Sequence, residues 1–142
     1  LDGYSGRQPR PVVVAGTRQL EPAAAVFGRD ALVYTPQGLD LPAEQVIAGT
    51  DGRVGLGPML DDLGARGYVA ALVEGGATLA GAMVRGGYVD RIVFYLAAKL
   101  GVGRGLGAFG GEFATITEAL RLEIERVTRI GEDLKVETRL RS

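Results

Sequence analysis

The sequence predicts an α/β fold: a mostly parallel central sheet with crossover helices, closed at its carboxyl end by an antiparallel hairpin. Three observations carry this. Short unbroken apolar runs rich in β-branched residues, such as Val12-Val13-Val14, suit strands buried on both faces. Stretches with apolar residues at helical spacing stand between such runs. The last segment instead alternates apolar with charged residues, which fits a half-buried strand in an antiparallel pair.

Residues 1–10 are polar, hold two glycines and a proline, and read as a linker or exposed loop. After Pro11 the first strand is Val12-Val13-Val14-Ala15-Gly16. Ala31-Leu32-Val33-Tyr34-Thr35, stopped by Pro36, is the second. Val46-Ile47-Ala48 is a short third, followed by a turn at Thr50-Asp51-Gly52. Met59, Leu60 and Leu63 recur at helical spacing within Leu56–Arg66, and Gly67 suits the position just past a helix end. Val69–Val73 reads as another buried strand. A helix follows over Thr78–Arg85, with Leu79, Ala82 and Met83 facing the sheet, and Gly86-Gly87 ends it. Ile92-Val93-Phe94-Tyr95-Leu96, within Asp90–Ala97, is a long apolar strand, so strand, helix and strand make a right-handed crossover with parallel pairing. Six of the eleven residues from Gly101 to Gly111 are glycine, too permissive for helix or strand, which predicts a ligand-shaped or mobile loop. Thr115-Ile116-Thr117-Glu118 fits a capping box. Leu122–Ile130 and Leu134–Leu140 flank the turn Gly131-Glu132-Asp133.

The composition narrows the chemistry. Hydrophobic residues at 46% and charged residues at 23% are those of an ordinary globular chain, and 142 residues suffice for one domain with its own core. With 16 Lys and Arg against 17 Asp and Glu, and no basic block, nucleic acid is not the expected partner. The absence of His and Cys removes imidazole bases, thiol nucleophiles and zinc sites of the Cys/His type. No apolar run approaches the roughly 20 residues of a membrane span, so small molecules are the expected partners and the cytoplasm the expected location. No initiator Met is present, and the chain is expected to begin part-way through a longer protein.

The candidate site is Val73-Glu74-Gly75-Gly76-Ala77-Thr78. A carboxylate at the carboxyl end of a strand sits where open α/β sheets bind ligands. The glycines permit close approach of a ligand to the backbone, and the amides opening the next helix suit a pyrophosphate, with the Thr78 hydroxyl as a further donor. The spacing leaves a second reading open: a tight turn, a solvated Glu74, and Gly76, Ala80 and Gly81 kept small for helix packing.

Val73-Glu74-Gly75-Gly76-Ala77-Thr78-Leu79-Ala80-Gly81-Ala82, then Val89-Asp90, then Tyr95-Leu96-Ala97-Ala98-Lys99-Leu100, resembles the reductase domain of the bifunctional riboflavin-biosynthesis deaminase/reductase. The resemblance also takes in the Arg-Gln-Pro-Arg-Pro entry into Val12-Val13-Val14 and the closing Gly131-Glu132-Asp133-Leu134. It implies a dihydrofolate-reductase-like fold over residues 11–142, as the carboxyl-terminal portion of that domain. It implies NADPH-dependent reduction of the ribosyl group of 5-amino-6-(5-phosphoribosylamino)uracil to the ribityl form, a homodimer, and no metal. By the same resemblance Glu74 matches the acid that touches substrate, and Gly76, Ala77, Thr78, Leu79, Ala80, Gly81 and Ala82 match the segment that binds the dinucleotide. Two rival readings are a reductase of this fold acting on another pterin- or pyrimidine-like substrate, and a non-catalytic fragment or dimerisation module.

This chain departs from the family at several points. The family reads Asp-Ser after the first strand, where Ala15-Gly16-Thr17 stands, leaving Thr17 or Arg18 to fill that cofactor contact. Ala77 and Ala98 replace prolines. The upstream reductase strands, which supply much of the substrate contact, and the zinc deaminase half have no counterpart here. Lys99 matches a family lysine at a strand end and reads as solvated or as positioning the glycine loop, Arg104 reads as a solvated loop cation ahead of a phosphate contact, and Asp61-Asp62 reads as a solvated helix face. Gly105-Leu106-Gly107-Ala108-Phe109-Gly110 matches a dinucleotide fingerprint by letter, but a hairpin follows in place of a crossover helix.

Overall fold

In a computed structural model of the chain, the structure describes residues 6, 8–17, 19–99, 107–110 and 119–141. The chain divides into two compact units, Leu1–Ala71 and Leu72–Ser142.

The first unit is built on a parallel sheet of β1 (Val12–Val14), β2 (Leu32–Thr35) and β3 (Glu44–Ile47), in that order. Val12 pairs with Leu32, and Leu32 with Glu44. Only the central strand is buried along its whole length. Side chains alternate across a strand, so Val33 packs with Ala15, Phe27 and Ala31 on one face, while Leu32 and Tyr34 pack with Met59 and Leu63 on the other. This is why β2 needs an unbroken apolar run. The similar run at β1 is an edge strand whose two faces are both partly covered, Val13 by one core and Val14 by the other, while Val12 at its start is exposed. Met59 and Leu63 lie on α1 (Leu56–Ala65), the helix that its spacing predicts. Before it, β4 (Gly49–Thr50) and β5 (Arg53–Val54) form a small hairpin. Its two loop residues, Asp51 and Gly52, both have positive φ, at 55° and 72°, the geometry that two-residue hairpins favour.

The second unit opens with α2 (Ala77–Arg85) and continues into an antiparallel sheet of β6 (Arg91–Leu96), β8 (Asp133–Leu140) and β7 (Leu122–Ile130), with β8 central. The β7–β8 hairpin turns on Gly131-Glu132, with φ of 61° at the glycine. A bulge at Glu125 shifts the register between Ile124 and Arg126. On β6 and β8, Arg91 and Arg139 are directly opposed. The bulge sends the Glu125 carboxylate between them, 3.4 Å from Arg91 and 3.0 Å from Arg139, offsetting a like-charge pair that would otherwise weaken the ladder.

Both helices end alike. Gly67 and Gly87 take φ of 86° and 70° one residue past the cap. Tyr68 N–H donates to Leu63 O and Tyr88 N–H to Met83 O, the six-to-one bond of a Schellman end.

Two expectations are corrected. Val69–Val73 is not a buried strand: residues 68–76 are irregular, and Val69 and Leu72 are 101% and 84% exposed. Consequently α2 is not flanked by a parallel pair, and β6 pairs antiparallel with β8. The run contains residues capable of pairing, but a strand also needs a neighbour whose backbone groups meet its own, and no described strand pairs with it. The last strand, β8, is half-buried as its alternation predicts, with Thr138 fully buried, while its hairpin partner β7 is exposed throughout. The predicted capping box at 115–118, the fingerprint residues Gly105 and Leu106, Arg18 and Arg104 lie outside the described residues. Among the described residues no helix is long and apolar enough to cross a membrane.

Candidate functional site

The candidate dinucleotide segment begins α2. Gly76 is its N-cap, extended at φ −68° and ψ 173°, and it supplies no side chain to close the helix end. The N–H groups of Ala77, Thr78 and Leu79 have no acceptor within the helix, because the first intrahelical bond runs from Ala80 N–H to Gly76 O at 3.0 Å. No acidic residue occupies this first turn to neutralise the positive end of the helix. A Cβ placed on Gly76 would meet nothing within 4 Å among the described residues, so space is open beside the amides. A Cβ on Gly75, in contrast, would come within 2.7 Å of the Leu79 side chain, which packs back over that glycine. The donors, the acid-free first turn and the open space fit the pyrophosphate of a dinucleotide. Thr78 is exposed, with its hydroxyl available as a further donor.

Glu74 lies two residues before the N-cap in the irregular segment and is exposed. It therefore stands next to the helix start, as its spacing predicts, though at the end of an unpaired stretch and not of a strand. Ala77, Leu79, Ala80 and Ala82 are half-buried on α2. Gly81 is buried beneath the Gly110 backbone, whose carbonyl occupies the place a side chain would take. At this residue the helix-packing reading applies, and its surface is covered by the protein's own chain. Thr17 belongs to the first unit, where it is exposed after β1 with its methyl 3.1 Å from where a Cβ on Gly52 would stand. Lys99 is exposed.

Two features escaped the sequence reading. An apolar pocket of about 230 Å³ lies between α2 and the antiparallel sheet, with Val84, Ile92, Phe94, Phe109, Leu122 and Leu140 among its walls. The second is a polar relay in the first unit. The phenol of buried Tyr34 donates to Asp62 Oδ2 at 2.6 Å, Arg66 bonds Asp62 and Glu44 at 2.6 Å each, and Arg10 joins Glu44 at 2.8 Å to Asp30 at 3.1 Å. Asp62 is therefore not a merely solvated helix acid. The hydroxyl of Tyr34 and then the guanidinium of Arg66 hold its carboxyl below the usual range. Arg66 and then Arg10 do the same for Glu44. Burial pushes the Tyr34 phenol up, and its bond to Asp62 adds to the shift. Only the i, i+4 spacing of Asp62 and Arg66 announces the relay in the sequence.

Known proteins share this architecture. The family described as the RibD C-terminal domain matches residues 2–136. A protein of Methanothermobacter thermautotrophicus named 2,5-diamino-6-ribosylamino-4(3H)-pyrimidinone 5′-phosphate reductase is 38% identical over 149 residues, covering 96% of this chain and 68% of its own length. The riboflavin biosynthesis protein RibD of Mycobacterium tuberculosis is 41% identical over 133 residues, covering 94% of this chain and 34% of its own length. The crystal structure of a Thermotoga maritima diaminohydroxyphosphoribosylaminopyrimidine deaminase/5-amino-6-(5-phosphoribosylamino)uracil reductase superposes with a TM-score of 0.81 at 20% identity, covering 98% of this chain and 40% of that one, which establishes the shared fold. This chain thus spans about two thirds of the archaeal relative and about a third of the bifunctional one. The chain belongs to the RibD C-terminal domain family.

Proposed function

We propose that this chain serves the reductase step of riboflavin biosynthesis, the NADPH-dependent conversion of the ribosyl group of 5-amino-6-(5-phosphoribosylamino)uracil to the ribityl form. The observation that carries the reduction step, common to both substrates considered below, is the 38% identity, spread over 96% of the chain, to a relative named as a ribosylaminopyrimidinone phosphate reductase, while the uracil as substrate is what the family resemblance implies. The uncapped start of α2 supports it from the chemical side. When bound, NADPH supplies a hydride that, with one proton on the departing ring oxygen, turns C1′ of the ribosylamino group into the CH₂ of a ribityl chain.

The protein's own share is positioning. The first-turn amides of Ala77, Thr78 and Leu79 donate to the pyrophosphate, with Gly76 giving access, the Thr78 hydroxyl adding a donor, and Ala80 and Ala82 completing the segment. Thr17 takes the contact that the family gives to Asp-Ser. The Glu74 carboxylate accepts hydrogen bonds from the sugar hydroxyls and orients C1′. A homodimer in the cytoplasm, drawn from the family resemblance, completes the reading.

A second reading differs in one ring substituent. The archaeal relative's name specifies the 2,5-diamino pyrimidinone, the form that still carries the amino group a deaminase would remove. Under that reading reduction precedes deamination. Assaying NADPH oxidation with both phosphoribosylaminopyrimidines separates the two. A kcat/KM favouring the uracil supports the first reading, one favouring the diamino compound supports the second, and turnover of neither contradicts both.

A further inference from the structure

We propose that Gly81 and Arg85 are positioning residues that clasp the Gly107–Gly110 segment onto α2 and thereby set the first turn of that helix for the dinucleotide; the proposal rests on the NADPH reading above. In an ordinary helix the side chain four residues on shields a backbone carbonyl from outside donors. At Gly81 that side chain is missing, which bares the carbonyl of Ala77. Gly110 uses the opening, and its N–H donates to Ala77 O at 2.6 Å. A Cβ on Gly81 would overlap the Gly110 carbonyl, and a Cβ on Gly110 would press to 3.1 Å from Ala77 O. One helical turn further on, the Arg85 guanidinium donates to the Gly110 carbonyl. Gly110 is therefore held by both its N–H and its C=O. Its neighbour Phe109 adds a third anchor, edge-on against Phe94 of β6 with ring centroids 6.2 Å apart.

The clasp bears on the cofactor through a single peptide unit. The Ala77 carbonyl that accepts from Gly110 belongs to the same peptide as the Thr78 N–H. A hydrogen bond at the oxygen polarises the amide and strengthens the N–H as a donor. The contact also fixes that peptide's orientation in the turn that faces the pyrophosphate. Gly81 and Arg85 thus act on the cofactor through Ala77 and Thr78 without touching it.

The test uses the full chain with Gly81→Ala, Arg85→Met and Arg85→Lys, each checked by circular dichroism and thermal melting. NADPH affinity is measured by fluorescence titration, KM for both substrates and kcat by turnover, and protection of the Gly110 amide by hydrogen exchange. Loss of about one charge-assisted hydrogen bond predicts that Arg85→Met weakens NADPH roughly tenfold and exposes the Gly110 amide, with the KM for the pyrimidine unchanged. Arg85→Lys restores most of the affinity, and Gly81→Ala weakens NADPH at least as much as Arg85→Met. Should Gly81→Ala fail to fold, the Arg85 pair decides. Wild-type NADPH affinity in Arg85→Met overturns the proposal and leaves the functional reading standing. A parallel loss of kcat, both KM values and melting temperature overturns it in favour of a plain folding role. No NADPH binding by the unaltered chain overturns both.

Discussion

Tyr34 and Glu74 show how differently single residues bear on this protein. The Tyr34 ring is buried at the centre of the parallel sheet, and its hydroxyl is donated to a charged acceptor, Asp62. Tyr34→Phe removes that bond while keeping the ring, and is expected to lower unfolding free energy by about 1 to 2 kcal/mol in a urea titration. The same relay sets an acid limit. The carboxyls of Asp62 and Glu44 titrate lower in the folded chain than in the unfolded one. Their stabilising contribution is therefore present above the unfolded carboxylate range and is lost as pH falls through the depressed folded values. Asp62→Asn should flatten the acid limb of a stability-against-pH curve, and an unchanged limb would remove Asp62 from the account. Glu74, in contrast, is exposed. Glu74→Gln is expected to depress turnover at least tenfold, a loss of about one charged hydrogen bond, while NADPH affinity stays within about twofold. Equal loss of both would contradict its assignment to the sugar.

At the scale of elements, the two helix ends predict matching penalties. Gly67→Ala and Gly87→Ala each force a side chain into the left-handed region and should each cost about 1 kcal/mol, measured by thermal or urea unfolding. These ends were legible because Gly-Tyr after a helical apolar stripe states the cap chemistry locally, and the Asp51-Gly52 and Gly131-Glu132 turns were legible for the same reason. Strand pairing was less so. The runs Val12–Val14, Leu32–Thr35 and Val69–Val73 look alike in sequence, yet they form an edge strand, a central strand and an unpaired stretch, because burial depends on neighbours that no local pattern specifies. The Glu125 bulge was hidden for a related reason, since the opposition of Arg91 and Arg139 exists only once β6 and β8 are in register. Glu125→Ala should destabilise the hairpin sheet by about 0.5 kcal/mol, and less in high salt.

Across the whole chain, the α/β class, the apolar strands near the amino end and the antiparallel hairpin at the carboxyl end followed from periodicity, and family membership from the order of motifs along 142 residues, whereas the parallel pairing expected around α2 is found instead among β1, β2 and β3. The candidate site was legible to the extent that it is one contiguous segment, Glu74 through Ala82. What lay beyond the sequence were the contacts between distant residues that shape it: Gly110 on Gly81, Arg85 on Gly110, and Phe109 on Phe94. The glycine at position 81 carried the signal, but a missing side chain does not say which backbone fills the gap. The proposed function stands or falls with NADPH held at the uncapped, acid-free start of α2 for reduction of a phosphoribosylaminopyrimidine. Its most direct test is to follow NADPH oxidation by the purified chain on addition of that substrate, with mass analysis of the product. One ribityl product formed per NADPH consumed is the predicted result, and a folded chain that consumes no NADPH with either the uracil or the diamino substrate would contradict it.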